Sequence, residues 1–379
     1  MTYTETIHKI PQVMPWIGSE EAEAVFATIE ENWITEGSRS KELSDQLNQR
    51  MKAPYGVFAP NGTLALYLGL MALGIGAGDE VLVPDCTFIG SANAVLMTGA
   101  TPVFVEVNRY NFQIDVTKAA HLITERSRAI MPVHLFGMVA NMYEVMAFAS
   151  QHNLKVIEDA AQAMGVHYQG QHAGTFGDVG CFSFFADKTI TMGEGGYVVC
   201  NDPEVYERLM LLRNQGRWDR GSFIHPAIGF NFRITDMQAA LGLVQLSKLD
   251  TIIERKLKIL DWYYERLADV AEVNFLAVES GSEFVPFRAA LICDRAHELM
   301  AFLTSQNVQC RTFFYPLHKQ PCFESLGQEQ GGILDLSDAA YPNAMYGYDR
   351  GVSLPIFPTL TEIQVDYLCD RIREFYRSK

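Results

Sequence analysis

Apolar residues fall at helical spacing over residues 19–32 (SEEAEAVFATIEEN), behind a serine cap and with acids in the first turn. A near-continuous apolar helix is expected at 63–73 (TLALYLGLMAL), opened by Asn61-Gly62. From there short apolar runs alternate with helical windows. Strands are expected at 80–84, 102–106, 129–133 and 154–158, separated by helices at 90–99, 115–124 and 141–152. This rhythm builds an α/β domain on a largely parallel sheet, because a crossover must return the chain before each parallel strand. The pattern changes at Gly177, where strands over 180–185 and 196–200 are joined by a polar, glycine-rich turn. A long helical region follows at 235–267, and 284–293, 308–315 and 362–377 describe a smaller α+β domain. The boundary is placed near residue 245, giving a large domain over 1–245 and a smaller one over 246–379. The cluster Gly74-Ile-Gly-Ala-Gly78 follows a helix rather than a strand, so it reads as a turn and not as a dinucleotide fingerprint.

Composition narrows the class. Of 379 residues 48% are hydrophobic and 20% charged, enough apolar mass for one large core and a satellite. No apolar run reaches 18 residues, and residues 1–15 contain no apolar core of a signal peptide, so a cytoplasmic protein is expected. Seven scattered cysteines without a CxxC pair read as reduced thiols rather than a disulfide framework or a metal site. A net charge of −15 argues against a nucleic-acid surface but leaves room for a locally basic pocket. Three arginines, Arg213, Arg217 and Arg220, fall within eight residues; taken alone they read as a solvated loop.

Four local features carry chemistry. Leu154–Asp159 (LKVIED) is an apolar strand ending in two acids, and ligand sites in open α/β sheets gather at strand carboxyl ends. A carboxylate there can bind the protonated ring nitrogen of pyridoxal 5′-phosphate (PLP) or merely cap the next turn. Lys188 follows an apolar strand and precedes a glycine-rich turn (CFSFFADKTITMGEGG), where no solvating lysine is needed. Partial burial would favour the neutral amine that a Schiff base requires, although a snorkelling strand-end lysine has the same local pattern. Pro60-Asn61-Gly62-Thr63 opens a helix whose N–H groups could bind a phosphate or simply be capped. Phe88, in PDCTF, could stack on a flat ring or pack in the core.

Taken in order, NGT, the PxxTF segment, VIEDAAQA, the lysine of SFFADKT, GEGG and GFNFR resemble the DegT/DnrJ/EryC1/StrS aminotransferases, which make amino sugars on nucleotide carriers. The resemblance runs from about residue 10 to the C-terminus and is strongest to the GDP-perosamine synthase branch, through Ile130–Gly137, Phe182–Gly196 and Arg311–His318. It implies the aspartate-aminotransferase-like PLP fold (fold type I), PLP as cofactor, L-glutamate as donor and a homodimer with shared active sites. By the same resemblance Lys188 would hold PLP covalently, Asp159 would face the pyridinium nitrogen, and Gln162 the ring's phenolic oxygen. Gly62, Thr63 and Ser183 would hold the phosphate, Asn231 would arrive from the partner subunit, and Phe88 would stack on the ring. Arg217 and Arg220 would reach the nucleotide diphosphate, with Trp33, Tyr315 and His318 near the sugar.

Two segments depart from that branch. Ala186-Asp187 stands where Gly-Asn usually precedes the lysine, and Ser222-Phe-Ile-His225 replaces an expected Tyr-Trp-His stretch. Both lie near the expected sugar or nucleotide site, so they bear on the substrate and not on the cofactor. GDP, dTDP or UDP carriers, and 3- or 4-keto sugars, remain open. A PLP-dependent sugar dehydratase would carry histidine where Lys188 stands. A non-catalytic regulator would need no complete catalytic set, and an oxidoreductase would need a strand-to-helix glycine fingerprint that is missing.

Overall fold

The computed structural model describes residues 9–218, 221, 223–324 and 335–378. After helices α1 (Ser19–Glu30) and α2 (Ser38–Met51), the chain enters a sheet through β1 (Tyr55–Ala59) and leaves it into α3 (Gly62–Ala72). It continues as β2 (Glu80–Pro84), α4 (Gly90–Met97), β3 (Thr101–Val105), β4 (Ser127–Ile130), α5 (Met142–His152) and β5 (Lys155–Asp159). A small hairpin, β6 (His167–Tyr168) and β7 (Gln171–His172), precedes β8 (Val179–Ser183) and β9 (Gly196–Cys200). The seven-stranded sheet runs β1-β9-β8-β5-β4-β2-β3, and β9 alone pairs antiparallel to its neighbours. Burial on both faces explains the unbroken apolar runs in β2, β3 and β8, all of whose residues are buried.

Helices α6 (Pro203–Arg213), α7 (Asp236–Ser247) and α8 (Leu249–Leu267) lead to a second, antiparallel sheet. Its strands are β10 (Val273–Phe275), β12 (Ala289–Cys293), β13 (Arg311–Thr312) and β14 (Gly351–Leu354), in the order β10-β12-β14-β13. The short strand β11 (Ser282–Glu283) instead joins the β6–β7 hairpin. Helix α9 (Ala296–Ser305) and the C-terminal helix Glu362–Arg377 cover the second sheet. Helix α8 spans two cores: Leu249 and Ile252 pack with the large sheet, Ile259, Leu260, Tyr263 and Leu267 with the small one. The N-terminal segment also belongs to the small sheet's core. Ile10 forms a parallel bridge with Val308, and Gln12 Nε2 donates to the Leu354 carbonyl at 3.2 Å.

Two expected helices differ. The window 115–124 forms two short 3₁₀ turns, Val116–Lys118 and Ala120–Leu122, because Thr124 and Arg126 are drawn onto the buried Glu80 carboxylate at the start of β2. The region 235–267 is two helices. They meet at Lys248, whose ammonium is held by Glu20 and Glu21 of α1. Among the described residues no helix is long and apolar enough to cross a membrane.

Candidate active site

Strand β5 lies mid-sheet, and its two terminal acids face opposite ways, as consecutive strand residues must. Glu158 is fully buried and accepts from the N–H groups of Gly174, Phe176 and Gly177, each at 2.7 Å, and from His134 Nε2 at 2.8 Å. Because His134 Nδ1 accepts from the Ala140 N–H, its proton sits on Nε2. Glu158 therefore fastens the loop after β7. Asp159 turns the other way. Its Oδ2 accepts from Ser91 Oγ at 2.7 Å and its Oδ1 from the Ala161 N–H at 3.1 Å. Ser91 has spent its proton on Asp159, so the Thr87 hydroxyl 3.1 Å away is the donor to Ser91. A buried carboxylate aimed by two donors, with lone pairs to spare, is suited to a cationic ring nitrogen.

The start of α3 makes an anion cradle. Asn61 caps the helix by accepting from the Leu64 N–H, and among the described residues no acceptor meets the N–H of Gly62 or Thr63. A Cβ on Gly62 would lie 2.8 Å from the Ser183 Cβ, and one on Gly196 would lie 2.2 Å from the Asn61 carbonyl oxygen. These glycines let β8, β9 and the helix terminus close on one another, which brings Gly62, Thr63 and Ser183 together. Thr63 and Phe88 meet at Gly90, whose added Cβ would lie 3.0 Å from Thr63 Oγ1 and 3.1 Å from the Phe88 ring. Phe88 is 56% exposed, so it is an open aromatic face and not a core residue. Gln162 is oriented by the Phe136 N–H, which donates to its Oε1 at 2.7 Å and leaves the amide N–H₂ as the free donor end.

Lys188 stands in the turn between β8 and β9, its N–H donating to the Phe185 carbonyl at 3.0 Å. Its side chain is 16% exposed, and Nζ lies 3.8 Å from Asp187 Oδ1 and 4.8 Å from the Phe287 ring centroid. Desolvation pushes the amine below the usual lysine range; Asp187 and Asp159 oppose this, and Arg288 reinforces it. The structure thus brings Lys188, Asp159, Gln162, Gly62, Thr63, Ser183 and Phe88 to the carboxyl-end edge of one sheet and its helix termini.

The remaining residues come from other segments of the chain. Trp33 is 55% exposed, with Nε1 donating to the Glu36 carbonyl. Asn231 is exposed and bridges Asn214, and Arg217 lies with its guanidinium 5.7 Å from the Phe223 ring centroid. Tyr315 is exposed, with its ring edge-on to Tyr348. His318 lies against the strand-end segment that carries Phe88. Its side chain is fully buried, Nδ1 is 2.7 Å from Asp85 and Nε2 3.3 Å from Asp338, and the ring stacks on Tyr341. Arg213 leaves the basic cluster: it is buried, donates to the Phe58 carbonyl and pairs with Glu36. Arg220 and Ser222 lie outside the described residues. Sequence reasoning missed Ser91, which orients Asp159, and Arg288, which pairs with Asp187; neither has a local signal, since each partner is remote in the chain.

The donor set fits PLP: N–H groups and a serine for phosphate, a buried carboxylate for the ring nitrogen, and a desolvated amine for the aldehyde carbon. Comparison with known proteins agrees. The family model described as the DegT/DnrJ/EryC1/StrS aminotransferase family matches residues 15–373. The GDP-perosamine synthase of Escherichia coli O157:H7 is 38% identical over 375 residues, 98% of this chain and 99% of that protein. The structure of DesV from S. venezuelae superposes with a TM-score of 0.87 at 32% identity, covering 94% of each chain. Spr1654 from Streptococcus pneumoniae, solved in its PLP form, gives a TM-score of 0.90 at 26% identity, covering 98% of this chain and 99% of that one. The fold is that of the fold type I PLP enzymes, and PLP is the cofactor. The chain belongs to the DegT/DnrJ/EryC1/StrS family and is a PLP-dependent aminotransferase acting on a nucleotide-linked sugar.

Proposed function

We propose that the enzyme transfers the amino group of L-glutamate to the keto carbon of GDP-4-keto-6-deoxymannose, or a near stereoisomer, giving GDP-perosamine or a similar amino sugar. The observation that carries the transamination is the pairing of a desolvated Lys188 with a buried, oriented Asp159 beside a phosphate cradle. The GDP-linked sugar is favoured by full-length similarity to the E. coli synthase. Bound PLP supplies an electron sink for the electrons released when a substrate C–H bond is broken. Asp159 keeps the ring nitrogen's proton in place. Gln162 offers its N–H₂ to the phenolic oxygen, and Phe88 offers an aromatic face. Gly62, Thr63 and Ser183 bind the phosphate. Lys188 is the attachment point and, once free, the base and acid that moves a proton at the substrate carbon. Trp33 and Tyr315 contact the sugar. Incubating the purified protein with glutamate and GDP-, dTDP- and UDP-linked keto sugars should give amino-sugar product from the GDP-4-keto-6-deoxy substrate, with at least tenfold lower kcat/KM on the others. A tenfold gap corresponds to only about 1.4 kcal/mol in transition-state binding. Preference for a dTDP- or UDP-sugar would overturn the assignment.

We further propose that the active unit is a homodimer in which Asn231, Arg217 and Arg220 of one chain complete the site of the other. Supporting this, the segment around them exposes Phe223 (85%), Ile224 (78%) and Ile228 (89%), apolar surface that a monomer would leave in water. An arginine loop borrowed from a neighbour would give charge-assisted hydrogen bonds to a diphosphate. Mixing Lys188→Ala chains with Asn231→Ala/Arg217→Ala chains leaves one intact composite site per heterodimer. Activity should return to about a quarter of wild type under random exchange. No recovery, with exchange verified by mass, would refute the shared site.

A further inference from the structure

The residue before Lys188 is Asp187, where the perosamine-synthase pattern has asparagine. The structure gives that extra charge a partner 101 residues away: Arg288 Nη2 lies 2.7 Å from Asp187 Oδ2. Arg288 is brought there by the segment leading into β12. The Val285 N–H donates to the Gly137 carbonyl and the Phe287 N–H to the Phe136 carbonyl. Gly137, at φ +84°, is required for that approach, since a Cβ would lie 1.8 Å from the Val285 carbonyl oxygen. The other carboxylate oxygen, Asp187 Oδ1, is buried with no hydrogen-bond partner and lies 3.8 Å from Lys188 Nζ.

Positive charge is crowded around it. Lys188 Nζ, Lys256 Nζ and Arg288 Cζ lie 4.8, 5.9 and 4.5 Å from the centroid of the same Phe287 ring. Lys256, from α8, is buried, and desolvation followed by Arg288 pushes its amine down to about 7. Arg311 adds positive charge that acts on Arg288, and the carboxylates acting on the group are Asp187 and Asp159. An asparagine at 187 would fill the same space without the charge. An ionised carboxylate attracts a cation more strongly than a neutral amide does, because both partners then carry charge.

We propose that Asp187, clamped by Arg288, is a positioning residue that receives the Lys188 ammonium on Oδ1 whenever the lysine is free of the cofactor. The proposal rests on Lys188 being the cofactor lysine. It gives the released side chain, with four rotatable bonds, one place to wait beside the reacting carbon. It also couples the lysine's protonation to a bridge between the β8–β9 turn and the segment entering the second sheet.

The test is made on the apoprotein. Trace acetic anhydride across a pH series, followed by mass spectrometry of the Lys188 peptide, reads the midpoint at which the amine becomes free. Asp187→Asn should lower that midpoint by about one unit, a tenfold change in the amine-to-ammonium ratio. Arg288→Gln should raise it, because a repelling cation is removed and the carboxylate is released toward Lys188. Opposite shifts show that both charges act on the amine at close range, which an ion pair remote from it would not produce. Since Asp187→Asn leaves a buried arginine unpaired, Asp187→Asn/Arg288→Gln is compared with Arg288→Gln and should lie below it by a similar amount. A wild-type midpoint in Asp187→Asn, shifts of one sign in both variants, or loss of the folding transition in all three overturns the proposal. Borohydride trapping of PLP decides separately whether Lys188 is the attachment point, so failure of one reading is not failure of the other.

Discussion

A Lys188→Ala enzyme should bind PLP only reversibly, lose the visible absorbance of lysine-bound pyridoxal, and lose turnover by on the order of 10³-fold or more. The size follows from two losses at one atom. On the proposed mechanism the amine is the attachment point, and it is also a desolvated base that the β8–β9 turn presents within reach of the Asp159 charge. Proton transfer by a positioned side chain is worth about 10²- to 10⁴-fold by itself. Fold stability should change little, because Lys188 Nζ makes no hydrogen bond shorter than its 3.8 Å contact to Asp187, and the turn is held by backbone bonds from Phe184 and Met192. Borohydride reduction of the wild type, then peptide mapping, checks the assignment: the pyridoxyl label must sit on Lys188. A label on Lys256, the other buried lysine of this region, would transfer the role to α8.

Asp159→Asn should retain PLP yet lose kcat by roughly 10²-fold, equivalent to about 3 kcal/mol of transition-state stabilisation. The substitution is nearly isosteric. The Ala161 N–H can still donate to the amide oxygen, and Ser91 can rotate its hydroxyl to accept from the amide N–H₂. What disappears is the negative charge that, on the proposed mechanism, would hold a proton on the ring nitrogen. The measurement is kcat at saturating glutamate and sugar nucleotide, with bound PLP quantified by absorbance after alkaline release. Turnover near that of the wild type would remove Asp159 from the mechanism.

The parts of this molecule legible in its sequence are those in which a local window decides the outcome. Buried parallel strands announce themselves as apolar runs, so β2, β3 and β5 fall within a residue or so of their expected positions. The Asn61 cap and the apolar run behind it place the start of α3 in the same way. Lys188 stood out because a lysine between an apolar strand and a glycine turn has no solvent to serve. Where pairing is remote, local pattern fails. Helix α2 has a readable stripe in Leu43, Leu47 and Met51, yet its N-terminus is capped by Asp236, which takes the N–H groups of Gly37, Arg39 and Ser40 from nearly 200 positions away. Arg213 looked like one of three solvated arginines until Glu36 closed on it. His318 sits in a motif that points to the sugar, but Asp85, remote in sequence, holds its ring inside the protein.

The bridge between Ile10 and Val308 bears on how the chain is made. During synthesis the N-terminal segment leaves the ribosome long before the strand region it must join, while α9 and the second sheet cannot complete their core without it. The smaller unit is therefore discontinuous, with almost the whole large domain inserted between its first element and the rest. Closing so long a loop costs only a slowly growing entropy, but it must be done late. The large sheet, all of whose strands precede residue 201, can assemble while the remainder is still being translated. Its folding then carries Trp16, whose carbonyl accepts from Gln245 on α7, and so brings the waiting segment to the place where the second sheet will form. Vectorial synthesis therefore favours the large sheet first, and the unit that delivers Arg288 to Asp187 afterwards.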